Sequence, residues 1–110
     1  MTVTIIYGNR RDEQKTLKYV SQFIFQPNAS VLFVSDNSAH TLTRPHSCRI
    51  QPSEGHKIML FNALGVFVGE SSSISIDLMT NEFAIVEKDG SAKELSFSNK
   101  CELHGWEQPI

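Results

Sequence analysis

The sequence predicts one β-rich α+β domain spanning residues 1–110: an N-terminal strand, one helix over about residues 11–26, and an antiparallel sheet or half-barrel over residues 57–98. An all-β barrel is the alternative fold. Three observations predict this class. A chain of 110 residues, 40% apolar and 20% charged, has the composition of one globular core. Its β-branched and aromatic residues gather in short runs bounded by Gly, Pro, Asn, Asp and Ser. In the second half, such runs recur roughly every 8–10 residues, the rhythm of an antiparallel meander, sandwich or barrel.

The first strand is Thr2-Val3-Thr4-Ile5-Ile6-Tyr7, closed by the turn-forming pair Gly8-Asn9. Asp12 to Gln26 fits two periods. Leu17, Val20, Ser21 and Ile24 follow helical spacing, whereas Leu17, Tyr19, Phe23 and Phe25 follow a strand. Asp12 and Glu13 suit the first turn of a helix and Gln14, Lys15 and Leu17 are good helix formers, so a helix is expected, ending before Pro27. Ser30 to Val34 reads as a buried strand followed by the turn Ser35-Asp36-Asn37-Ser38. From Asp36 to Gly55 apolar residues thin out and Pro45 and Pro52 appear, which predicts a long polar loop with one edge strand around Ser47 to Gln51.

Five further strands are expected at Lys57–Phe61, Gly65–Gly69, Ile74–Leu78, Glu82–Glu87 and Lys93–Ser98. Asp89-Gly90 is a hairpin turn signal that should pair the last two antiparallel. Phe83, Ile85, Leu95 and Phe97 are then expected toward the core, with Glu82, Lys93 and Glu94 on the wet side.

Charge and composition narrow the function. The chain has 10 basic and 12 acidic residues, a net charge of −2, so nothing draws it globally to phosphate or anionic lipid. No apolar run approaches the roughly 18 residues of a membrane span, and Met1 to Gly8 lacks the pattern of an export signal. A soluble cytoplasmic protein is expected, with Cys48 and Cys101 as free thiols. The charge is uneven: residues 1–57 hold seven basic and four acidic side chains, residues 58–110 three and eight. Such asymmetry marks either a binding face or ordinary solvated charge.

His40, His46, Cys48 and His56 are the densest set of soft ligands. Their spacings match neither the paired CxxC pattern nor HExxH, so surface histidines in a polar loop are the default reading. A Cys48 nucleophile would need a nearby imidazole, His46 for instance, and an orienting carboxylate such as Asp36. GxSxG is absent, and Gly8 to Thr16 lacks the second Gly that a phosphate-cradling loop needs before its Lys. For single-stranded nucleic acid, Arg10, Arg11, Lys15 and Lys18 accompany Tyr19, Phe23 and Phe25, a stacking platform only if that segment is a strand. No catalytic residue, metal or cofactor is assigned.

The expected function is therefore a non-enzymatic protein-binding module, of inhibitor or immunity type, that engages a basic partner through Glu82, Glu87, Asp89, Glu94 and Glu102. Trp106 either anchors that interface or caps the domain's own core. A small enzyme or ligand-binding domain using residues 36–56 is the alternative, and a single-stranded nucleic-acid binder the second.

Overall fold

The computed structural model describes residues 1–7, 13–26, 30–43, 46–78, 82–86, 91–96 and 102–110. Among them there is no helix. Twelve strands form two six-stranded sheets, and every pairing is antiparallel. Sheet I runs β11 (Ala92–Ser96), β10 (Glu82–Val86), β9 (Ser73–Asp77), β6 (Ser47–Gln51), β1 (Thr2–Ile6), β2 (Gln14–Leu17). Sheet II runs β5 (Ser38–Leu42), β4 (Ser30–Ser35), β3 (Val20–Gln26), β12 (Leu103–Pro109), β7 (His56–Asn62), β8 (Phe67–Ser71).

Alternation along the strands builds the core between the sheets. Val3, Ile5, Cys48, Ile50, Ile74 and Ile76 point inward from sheet I. Phe23, Phe25, Val31, Phe33, Ile58, Leu60 and Leu103 meet them from sheet II. The chain changes sheets at tight corners. Only Ser72 separates β8 from β9. Lys18 and Tyr19 separate β2 from β3, and there Tyr19 adopts φ +60°, a left-handed conformation rare for an aromatic residue. Reciprocal backbone bonds between Met1 and Val20, 2.8 and 3.0 Å, tie the two sheets together at that corner.

The α+β expectation is thus corrected to all-β, and the all-β alternative is the one that fits. The segment expected as a helix is β2 and β3. Its period-2 set won because Phe23 and Phe25 both reach the core, at 0% and 3% exposure, between partners on either side, β4 and β12. The polar stretch Asp36–Gly55 is likewise no long loop, since it contains β5 and β6. Leu42, Cys48 and Ile50 supply just enough inward apolar side chains. Moreover, β6 lies inside sheet I between β1 and β9 rather than at an edge.

The first strand and the Ser30 strand form as expected. Strands also form close to the five second-half positions, with the hairpin paired in register Phe83↔Leu95. In that register positions 82 and 94 fall in the same alternating row, whereas position 93 falls opposite position 85, in the other row. The Asp89-Gly90 turn lies outside the described residues.

Candidate protein-binding face

The two outer faces differ in chemistry. On sheet I the register aligns Thr16, Thr4, Arg49 and Ser75 in one outward row, and Gln14, Ile6, Ser47 and Asp77 in the next. That is the polar exterior expected of a sandwich. On sheet II the corresponding row reads Leu32, Ile24, His104, Phe61 and Phe67, crossing five strands. Val34, Met59 and Trp106 extend it. Ile24, Leu32, Val34, Met59 and Phe61 are half-buried by their neighbours, and Trp106 and Phe67 are exposed.

Aromatic packing organises one end of this face. The Phe61 ring stacks on Trp106 at 4.1 Å between centroids with planes 8° apart, and meets Phe67 edge-on at 5.8 Å and 67°. The β7–β8 turn holds Phe67 in place. Asn62 Oδ1 accepts hydrogen bonds from the Leu64 and Val66 amides, both 3.0 Å, while Gly65 supplies the positive φ, +79°, that the turn requires. Between Leu60↔Gly69 and Phe61↔Phe67 the ladder shifts by one residue, leaving Val68 as a bulge. Bulges re-aim side chains. Here the shift leaves the consecutive residues Phe67 and Val68 both 51% exposed. With Val66 and Leu64 they form the main concentration of exposed large apolar side chains among the described residues.

Polar groups interrupt and flank the patch. Lys57 Nζ pairs with Glu70 at 2.7 Å, and Glu102 lies 3.1 Å from His104 Nε2, whose Nδ1 is 3.5 Å from Gln22. Trp106 and Glu102, both expected in a partner site, therefore belong to this face. Glu82 and Glu94 do not. Their register positions fall on the outer side of sheet I, position 82 opposite Asp77 and position 94 opposite Ala84. Glu87 and Asp89 lie outside the described residues. The anticipated acidic site is thus divided between opposite sides of the sandwich wherever it can be placed.

The histidine and cysteine set is dispersed. His40 sits on edge strand β5, His46 just before β6, and His56 at the start of β7. His46 Nδ1 is 2.7 Å from the Thr43 carbonyl and its ring meets Tyr7 edge-on at 5.0 Å; His56 Nδ1 is 3.0 Å from the Glu54 carbonyl. Cys48 faces the core, and burial pushes its thiol up to about 12, which leaves it protonated and unreactive. Among the described residues no three His, Cys, Asp or Glu side chains are placed to hold a metal. The stacking platform also dissolves: Phe23 and Phe25 are core, which leaves Tyr19 exposed alone. Arg10 and Arg11 lie outside the described residues. No helix among them is long and apolar enough to cross a membrane.

Sequence reading missed Phe61, Phe67, Val68, Met59, Ile24, Leu32 and Val34 as surface residues. The signal was present. Phe23-Ile24-Phe25, Val31-Leu32-Phe33-Val34 and Ile58-Met59-Leu60-Phe61 are unbroken apolar runs, the mark of strands covered on both faces. In β1, β6 and β9 polar residues alternate with the inward apolar ones almost throughout, as strands with one wet face do. No known protein family, curated protein or solved structure matches this chain.

Proposed function

We propose that the protein is a non-enzymatic protein-binding module whose contact surface is the outer face of sheet II, with Trp106 and Phe61 as its aromatic anchors. The observation that carries this reading is the outward row across β4, β3, β12, β7 and β8, apolar on every strand but β12, where His104 stands. Four inter-strand steps of about 4.8 Å make it about 19 Å long, too broad for one small ligand and suited to a protein surface. Its anatomy supports the same conclusion, an aromatic cluster of Phe61, Trp106 and Phe67 flanked by the Lys57–Glu70 ion pair and by His104 with Glu102. A basic partner, the expectation from the charge asymmetry, would have to compete with Lys57 for Glu70 and with His104 for Glu102.

The test is affinity capture from the producing cells with three baits compared by quantitative mass spectrometry. These are the wild type, Trp106→Ala with Phe67→Ala, and Glu82→Lys with Glu94→Lys. Loss of a truncated hot-spot aromatic costs about 2 kcal/mol or more, roughly a thirtyfold fall in affinity. One protein retained by the wild type and the Lys variant but lost from the Ala variant supports the reading. A protein lost only from the Lys variant moves the contact to sheet I and refutes it.

A further inference from the structure

The outer face of sheet I holds a depression of about 590 Å³, within the usual size range of small-molecule sites. Thr4, Ser47, Arg49, Gln51, Ser75 and Asp77 line much of it, brought together from β1, β6 and β9. Arg49 lies at the middle of the row, between Thr4 and Ser75 in register. Among the described residues no carboxylate lies within ion-pair distance of its guanidinium. Asp77 is its diagonal neighbour, one strand over, about 7–8 Å away by sheet geometry.

We infer that this depression is a binding site for a carboxylate-bearing polyhydroxylated ligand, the chemistry of a sugar acid. The polar lining groups have matching roles. The Arg49 guanidinium presents a planar fork of donors that a carboxylate accepts in bidentate fashion. The hydroxyls of Thr4, Ser47 and Ser75 and the amide of Gln51 both donate and accept, as neighbouring sugar hydroxyls do. The lining also includes Ile6, Gln14, Cys48 and Ile76 and, among the described residues, no aromatic ring, so charge and hydrogen bonds give the site its selectivity. This site is on the opposite side of the sandwich from the proposed protein contact, and either assignment can fail alone.

The experiment is a titration of the amide NMR spectrum of the full chain with three separate probes: glucuronate, glucose and acetate. Glucuronate is expected to shift the amides of Thr4, Ser47, Arg49 and Ser75 and to bind about tenfold or more tighter than glucose or acetate. Arg49→Gln, at an exposed position, should keep its melting temperature and lose that tenfold preference. Shifts absent from these residues would overturn the proposal. So would equal binding of acetate and glucuronate, which would mean an anion held without its hydroxyls. Equal binding of glucose and glucuronate would show that Arg49 reads no carboxylate and would overturn it too.

Discussion

Gly105 lies on β12 between Phe23 of β3 and Leu60 of β7, facing the core, and the Phe23 ring covers it. A Cβ at this position would overlap ring atoms Cε1 and Cζ of Phe23, a side chain with 0% exposure and no room to swing away. Gly105→Ala therefore forces either the ring off its rotamer or β12 away from β3. Overpacking of this kind costs about 3 kcal/mol, the upper part of its usual range. With about 2.1 cal/mol/K of unfolding entropy per residue, a domain of this length loses about 4 °C per kcal/mol, so a fall of about 13 °C is expected. The assay is thermal and urea unfolding followed by circular dichroism, on Gly105→Ala, Phe23→Leu and the double variant. Phe23→Leu alone should cost about 1.5 kcal/mol by leaving a small void. In the double variant the methyl enters the space the ring vacated, so the double should be at least about 1 kcal/mol more stable than additivity predicts. An unchanged melting temperature for Gly105→Ala, or strictly additive losses, would mean that the Phe23 ring does not close the space over Gly105.

Other consequences follow from single observations. In a Cys101→Ser background, Cys48 should resist a thiol reagent at pH 8 until the protein unfolds; rapid labelling of the folded protein would contradict its burial. Burial alone would raise the Glu107 carboxyl, but the Ser53 amide at 2.8 Å, the Met1 ammonium at 3.2 Å and the Ser53 hydroxyl hold it below its ordinary value. Its stabilisation is then complete above about pH 4.5 and is lost as pH falls through the lower folded-state value. Glu107→Gln should cost about 1 kcal/mol at pH 7 and less in acid, read from urea midpoints across that window. Tyr19→Gly should be neutral or stabilising by up to about 1 kcal/mol, because φ +60° suits glycine, whereas Tyr19→Val should destabilise by about 1 kcal/mol or more. Comparable melting temperatures for the two would argue against a left-handed residue 19.

Strand chemistry was legible wherever alternation was clean, as in Thr2-Val3-Thr4-Ile5 and Ser73-Ile74-Ser75-Ile76, because one wet and one dry face write period 2 into the sequence. It failed at Asp12 to Gln26 for a physical reason. Ile24 is apolar although it points outward, so both periods found matching residues, and long-range pairing with β4 and β12 decided the outcome. The polar stretch around Cys48 was misjudged because two inward side chains, Cys48 and Ile50, suffice for a five-residue strand held on both sides. Of the residues expected at a partner site by residue type, Trp106 and Glu102 lie on the outer face of sheet II. The surrounding face is less legible because an unbroken apolar run such as Val31-Leu32-Phe33-Val34 reads first as a buried strand, when in a two-layer fold it also marks a second apolar surface.

The most direct test of that surface is photo-crosslinking in the producing cells, with a benzoylphenylalanine placed singly at Met59, Val34 or Ser75. Met59 and Val34 share the outer face of sheet II, and Ser75 faces outward from sheet I. The account predicts one discrete adduct of the same partner from Met59 and Val34 and none from Ser75. An adduct from Ser75 alone, or no adduct from either sheet II position, would contradict it.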